Sequence, residues 1–508
     1  MAEQAGAARD ADPLDVLVVG AGISGIGAAW HLKTQCPGKS FGVFEALDGI
    51  GGTWKVHTYP GIRSDSDLYT FGYRFKPWTG PPIATADQIL AYLNAVIAEN
   101  DLAPYLHFRH RILQASWSSR DRLWTVRMDS PGGEKTVRAR FLWMCQGYYD
   151  LSRGHTPDWP GFEDFAGTVI HPQAWPADAD IDGKRVVVIG SGATAATLVP
   201  AIADRCAHVT MLQRSPTYFV TGRNANDLAD ELRRLEIDES WIHEIIRRKV
   251  LKDQADFTRR AEAEPDAVKK ELLMGVRAYL GRDFDIATHF TPRYRPWQQR
   301  IAFIPDGDLF RCVAAGKANV VTDRIERFEA KGIRLASGDL LEADTIVTAT
   351  GFNLSFLGDI PFDIDGAPVA WNERLTYRGM MVEGVPNMLF VFGYFRASWT
   401  LRVDLLGDFM ARLLAHMEAI GATEVRPVPP AEMAGAERLP WIDPENFNPG
   451  YMMRGQDRLP RRGRDPDWQH NQDYWTEKDE IPAIDLDGPG LVYRDAEGRV
   501  LEKDAAAA

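Results

Sequence analysis

Two glycine-rich turns, far apart in the chain, are the residues best suited to hold a ligand. The first is Gly20-Ala21-Gly22-Ile23-Ser24-Gly25, a G-x-G-x-x-G pattern after the apolar run 15–20. In such a turn the first glycine permits a tight reversal and the second lets backbone approach a pyrophosphate. The third lets the following helix pack on the strand, and the helix N-terminus offers free N–H groups to phosphate. Glu45 ends the next apolar run and is placed to accept hydrogen bonds from a ribose diol. The second turn is Gly190-Ser191-Gly192-Ala193-Thr194-Ala195, and its following run closes on Gln213 and Arg214, with Ser215 next. An acid there would repel a ribose 2′-phosphate, whereas an arginine can grip it with two hydrogen bonds. Arg214 read alone would be a solvated cation; in this unit it points to NADPH. A third patch, Gly51-Gly52-Thr53-Trp54, would let backbone pass close to a flat ligand. A glycine pair alone is more often an ordinary turn. Together with two nucleotide turns, it points to FAD on the first of them.

The elements that must position these turns form an internal echo. Runs 15–20 and 184–190 are β-branched strands ending in glycine, segments 21–33 and 191–205 read as helices, and 40–45 and 208–214 read as second strands. Alternating runs at 112–117 and 123–128 lead to a buried run at 141–147. Runs at 320–328 and 332–335 lead likewise to 345–351. The expected fold is α/β: two Rossmann-like dinucleotide-binding domains, arranged as in glutathione reductase, with a helical insertion. The FAD-binding domain is expected at 1–150 and 346–508, the NADPH-binding domain at 151–222 and 293–345, and the insertion at 223–292. In the insertion, Leu228, Leu232 and Leu235, then Ile242, Ile245 and Ile246, recur at helical spacing. The chain after 418 reads as long wrapping loops, and 505–508 as disordered.

Composition narrows the function classes. Lys and Arg number 58 against 71 Asp and Glu, a formal charge of −13, which argues against a nucleic-acid partner. The four cysteines include no C-x-x-C pair, so neither a zinc ribbon nor a redox-active dithiol is expected, and with it falls a disulfide reductase. Few cysteines in a long chain fit a reducing cytoplasm. Residues 1–13 lack the apolar core of a signal peptide, and no run approaches the roughly 18 residues of a membrane span. A cytoplasmic location is expected; the oligomeric state is open.

Between the two nucleotide turns, residues 165–176 read F-x-G-x-x-x-H-x-x-x-W-P, with Phe165, Gly167, His171, Trp175 and Pro176 at the defined positions. This resembles the fingerprint of the Baeyer–Villiger monooxygenases. Tyr59-Pro60-Gly61-Ile62-Arg63-Ser64-Asp65-Ser66-Asp67 resembles a second segment of that family, and 393–404 is similar to the branch that includes bacterial activators of thioamide prodrugs. The resemblance spans 15 to about 474.

The resemblance implies NADPH- and O2-dependent conversion of ketones to esters or lactones through a flavin peroxide, with thioethers as further substrates. It implies an active-site arginine after the insertion. Arg300 is the best match, with Arg293 and Arg295 as competitors, and Asp65 would hold it and lie at the FAD. Arg63 and Ser64 are placed at NADPH, and His171 at a hinge that couples NADP position to domain movement. Many members carry a lysine where Gln299 stands here, which returns weight for the 2′-phosphate to Arg214. Trp78, Trp297 and Trp399 are candidates for lining the substrate pocket, with core or rim packing at least as good a reading. The alternatives are an N- or S-oxidising flavin monooxygenase on the same scaffold, and a non-catalytic NADPH/FAD-binding sensor.

Overall fold

A computed structural model describes residues 12–433 and 435–501. The readings made for 505–508, and for the N-terminal stretch up to 11, lie outside the described residues.

The first sheet is built around β1 (Leu14–Val19), whose apolar, β-branched residues bury both faces. The helix α1 (Ile23–Gln35) returns the chain to β2 (Phe41–Phe44), which lies parallel to β1 with Val16 opposite Phe41. A short β3 (Leu106–His107) extends that edge. β4 (Arg111–Ser118), β5 (Leu123–Asp129) and β6 (Lys135–Met144) form an antiparallel meander. β6 is long enough to belong to two layers. Its first half pairs with β5; its second half pairs parallel with β1 and, on the other side, with the late strand Met388–Phe390.

β7 (Tyr149–Gly154) carries the chain away from this sheet. The second sheet comprises β8 (Thr168–Ile170), β9 (Arg185–Ile189), β10 (His208–Gln213) and two later strands, all parallel. α2 (Ala193–Ile202) is the crossover between β9 and β10, as parallel pairing requires. β11 (Phe219–Gly222) then opens the insertion, which holds α3 (Asp227–Arg234), α4 (Glu239–Ala263) and α5 (Pro265–Leu280). β12 (Ala302–Pro305) closes it by pairing parallel with β11. α6 (Asp308–Ala314) leads to β13 (Ala318–Thr322), the outer strand of the second sheet. β14 (Ile325–Glu329), β15 (Gly332–Leu335) and β16 (Leu340–Glu342) form a separate three-stranded meander. β17 (Thr345–Thr348) then pairs with β9 and β8, and β18 (Phe352–Leu354) runs back antiparallel to β7.

Two expectations are corrected. The division at 345 would cut β17, because Val347 is in register with Val188 of β9; the chain leaves the second sheet only after Thr348. The insertion is helical; Ile242 and Ile246 are fully buried, whereas Leu228, Leu235 and Ile245 face solvent. α4 also docks through a buried cation: Arg247 donates to the carbonyls of Tyr69 and Gly72 at 2.9 Å. The tail is more than loops. Strand Glu424–Pro427 pairs with Leu491–Arg494, and Trp441, Trp468 and Met452 are buried in the core of the first domain. Among the described residues, no helix is long and apolar enough to cross a membrane.

Candidate active site

The first glycine turn separates what the protein needs from what a ligand would need. Gly20 has φ +97°, and a Cβ there would lie 2.9 Å from the carbonyl oxygen of Cys145. A Cβ on Gly25 would overlap the carbonyl oxygen of Gly20. Gly20 is therefore dictated by its positive φ and by the close backbone after β6, and Gly25 by the packing of α1 on the turn. Gly22 is different: its Cβ would meet no atom nearer than Gly52 Cα at 3.9 Å, so its open face suits a close-approaching diphosphate. That contact brings the glycine pair against the turn, and the N–H of Gly51 donates to the carbonyl of Ala21 at 3.0 Å. Thr53 and Trp54 open the short helix behind the pair. Glu45 is buried and already accepts from the N–H of Ala21 (2.7 Å) and of Leu47 (2.8 Å). It braces the turn as well as facing it. The Ser24 hydroxyl accepts from the indole N–H of Trp399 at 2.7 Å.

The second turn repeats the arrangement. Gly190 has φ +137° and abuts the carbonyl of Ala349, Gly192 has open space around its Cβ position, and Ala195 is fully buried. Ala193 and Thr194 begin α2, and the Ser191 hydroxyl donates to the carbonyl of Ser215 at 3.1 Å. Gln213 turns inward and donates to the carbonyl of His289 at 2.7 Å. Arg214 points to solvent with no side-chain partner among the described residues, so its guanidinium fork is free for an anion.

The 59–67 segment bridges the halves. At Gly61 (φ +76°) a Cβ would sit 2.7 Å from Ala201 Cβ, which docks the segment on α2. Arg63 and Ser64, expected at NADPH, have protein partners here. Arg63 forms a two-pronged pair with Asp308 at the start of α6, and Ser64 is buried, its N–H donating to the carbonyl of Ala84 at 2.8 Å. His171 lies against Gly154, where any Cβ would overlap its ring; its Nδ1 accepts from the N–H of Gln173 at 3.2 Å, and burial lowers its pKa.

Asp65 emerges from the same segment and accepts from an Arg300 guanidinium nitrogen at 3.0 Å. The charge of Asp65 holds the Arg300 pKa well above the usual arginine value, against the opposing effect of desolvation. Both side chains keep about a third of their surface open, within a recess otherwise walled by protein (33% and 31%). The competitors are placed elsewhere: Arg295 donates to Asn446, and Arg293 is exposed. Near Arg300 lie three tyrosines that sequence patterning did not single out. Tyr148 donates to the Tyr149 hydroxyl at 2.8 Å, and the Tyr149 and Tyr451 rings lie 5.9 Å apart. Burial pushes the Tyr148 and Tyr149 phenols well up, so both stay neutral. Burial also pushes the Asp67 carboxyl up to about 7, although it accepts from the N–H of Tyr69.

Arg300, Asp65 and Asp67 open on a cavity of about 620 Å³. Its walls come from β11, α4, α5, Trp297 and the 395–398 turn, and they are largely apolar, with Phe219, Phe257, Leu272 and Phe303. Of the tryptophans, Trp297 lines it. Trp78 is buried in the core instead, and Trp399 stacks on Tyr148 at 5.2 Å beside the first glycine turn.

Comparison with known proteins gives this geometry its family. Residues 14–228 match the flavin-binding monooxygenase-like family. The chain is 44% identical over 482 residues to the FAD-containing monooxygenase EthA of Mycobacterium tuberculosis, covering 94% of this chain and 97% of that protein. It is 44% identical over 463 residues to EthA of Mycolicibacterium smegmatis, covering 91% and 93%. Among solved structures, an oxidized steroid monooxygenase bound to NADP aligns with TM-score 0.75 and 24% identity, covering 95% of this chain and all of that one (100%). Cyclohexanone monooxygenase from Rhodococcus sp. Phi1 bound to NADP+ aligns with TM-score 0.72 and 22% identity, with the same coverage (95% and 100%). The structural likeness shows the fold, and the end-to-end sequence match shows that the chain belongs to the flavin-binding monooxygenase-like family and is an enzyme of that class rather than a sensor.

Proposed function

We propose that the chain is an FAD- and NADPH-dependent Baeyer–Villiger monooxygenase that converts ketones to esters or lactones and oxidises thioethers at the same site. One observation carries this reading: the Arg300–Asp65 pair opens directly on the apolar-walled cavity. FAD, reduced by NADPH, would supply the O2-activating chemistry. The open face of Gly22, with Gly52, Thr53 and Trp54, would hold the FAD diphosphate and ring, and Glu45 its ribose. The open face of Gly192 and the N-terminus of α2 would hold the NADPH diphosphate, with Arg214 and Ser215 at its 2′-phosphate.

The remaining chemistry belongs to side chains of this chain. Arg300 keeps a permanent cation where a substrate carbonyl oxygen gains negative charge, and a fixed donor in a walled site stabilises that charge without reorganisation. Asp65 positions the guanidinium and maintains its protonation. The neutral Tyr148 and Tyr149 occupy space beside it that water would otherwise fill. Arg63, through Asp308, clasps the 59–67 segment to the second domain and so fixes Asp65 relative to the NADPH-side turn. The four cysteines are free, and three of them are buried, which fits a cytoplasmic enzyme. The test is aerobic NADPH oxidation by the flavin-loaded protein against linear, cyclic and aryl ketones, thioethers and amines, with products identified by mass. Ester formation supports the reading, whereas oxidation of amines alone would replace it with a heteroatom monooxygenase.

A further inference from the structure

The carboxyl edge of the second sheet carries a hydrogen-bond relay that ends on a free donor. Gln213 closes β10 and Thr322 closes β13, and the two stand in register on adjacent parallel strands. Both bind His289, the last residue of the short helix Ile286–His289. Gln213 Nε2 donates to the His289 carbonyl at 2.7 Å and to the Thr322 hydroxyl oxygen at 2.9 Å. That same oxygen lies 2.9 Å from His289 Nδ1. These contacts fix where each hydrogen points. The His289 carbonyl has no proton to give, so the Gln213 amide nitrogen faces it and donates. Thr322 accepts from Gln213 and turns its own hydrogen to Nδ1, its one acceptor among the described residues. Burial holds the ring's pKa below the usual histidine value, against the opposing charge of Asp285, so the ring is neutral near pH 7. A neutral ring whose Nδ1 accepts carries its proton on Nε2. Nε2 has no partner among the described residues and is not enclosed by protein. The relay therefore presents one oriented N–H to solvent.

The place of that donor says what it meets. Parallel sheets of this kind hold ligands outside the carboxyl ends of their strands. The Gly190 N–H donates to the Leu212 carbonyl at 2.8 Å, and the Ser191 hydroxyl reaches the Ser215 carbonyl, so the second glycine turn borders the end of β10. Arg214 follows Gln213 directly, and β13 lies one strand spacing further, about 4.8 Å. The glycine turn, the Arg214–Ser215 corner and His289 thus follow one another along the edge, at the ends of β9, β10 and β13. The one acid at this edge is turned away: the Asp323 carboxylate accepts from the N–H groups of Arg324 (2.7 Å) and Ser337 (3.0 Å). We propose that the Nε2–H of His289 donates to the ribose 2′-phosphate of NADPH beside Arg214, a role that rests on the NADPH reading above and adds a residue that selects NADPH over NADH. It also makes the end of the helical insertion part of the nucleotide site. Arg214 supplies the charge, and His289 supplies a hydrogen bond whose direction Gln213 and Thr322 have already set.

The experiment is isothermal titration of the flavin-loaded protein with NADP+ and with NAD+. His289→Phe keeps a ring and removes the donor. His289→Asn keeps a polar atom on the Thr322 side but is too short to reach the Nε2 position. His289→Gln returns an N–H near that position. The wild type should bind NADP+ more tightly than NAD+. The Phe and Asn variants should each lose about tenfold in NADP+ affinity while NAD+ affinity stays unchanged, and the Gln variant should keep most of the wild-type preference. Flavin content and melting temperature, measured alongside, identify a variant that fails to fold, and two donor-less variants keep the test from depending on one. A merely structural role would weaken both dinucleotides together, and that result would overturn the proposal. So would a full preference for NADP+ in the Phe or Asn variant, which would leave the NADPH reading standing. A wild type that binds the two dinucleotides equally would remove that reading and this donor's role with it.

Discussion

Replacing Asp67 with asparagine should flatten a fall in stability that the native protein shows as pH rises towards 8. The carboxyl is desolvated at the edge of the cavity and its pKa stands at about 7, against 3.8 for a free side chain. Below about pH 4 both folded and unfolded chains hold the proton, and the group contributes nothing to the pH dependence. Between about pH 4 and 7 the unfolded chain releases the proton while the folded chain keeps it, so stability declines as pH rises. Above about pH 7 both are ionised, and the full cost of a charged buried carboxylate is present. A shift of about three units at 1.36 kcal/mol each makes this cost roughly 4 kcal/mol at most. Asparagine keeps the acceptor for the Tyr69 N–H and caps the same short helix, so local structure is preserved. Urea unfolding midpoints of the flavin-loaded protein, measured from pH 5 to about pH 8, should fall less steeply in the variant than in the wild type. Parallel pH profiles for the two proteins would refute the reasoning, because Asp67 would then titrate as an ordinary exposed carboxylate.

Arg214→Ala should raise the KM for NADPH by about 10- to 100-fold, the worth of roughly 1.5–3 kcal/mol of charge-assisted hydrogen bonding, and barely change that for NADH; equal changes for the two cofactors, in steady-state kinetics, would remove the 2′-phosphate role. Gly192→Ala meets no protein atom within 4 Å and should leave thermal stability unchanged while weakening NADPH binding. Gly25→Ala, which overlaps the Gly20 carbonyl, should instead abolish flavin retention through loss of the first domain's packing, read as absorbance and melting temperature of the purified protein.

Much of the fold could be read along the chain because its signals are local. The β1 and β9 runs, their glycines and the small residues of α1 and α2 each answer to neighbours close in sequence, so the twofold plan and both nucleotide turns were legible. The strand boundary at β17 was not, since membership in a sheet is decided by pairing with Val186 and Val188, far earlier in the chain. The same reason hides much of the site. Asp65 and Arg300 are 235 positions apart, and the family resemblance, not spacing, brought them together. Arg63 was placed at NADPH through the resemblance, and its pair with Asp308, 245 positions away, could not be read from spacing. Tyr148, Tyr149 and Asp67 owe their character to burial, which has no sequence period at these positions. The exposed Leu228 and Leu235 show the converse: helical spacing marks a helical segment without saying which of its apolar residues pack.

The central claim is that a fixed cation at Arg300 directs oxygen into the substrate. Its most direct measurement is the yield of ester per NADPH consumed by Arg300→Ala, with anaerobic flavin reduction followed in parallel. Reduction should persist while ester yield falls to background and the oxygen consumed returns as hydrogen peroxide. Ester formed at near wild-type yield would contradict the account.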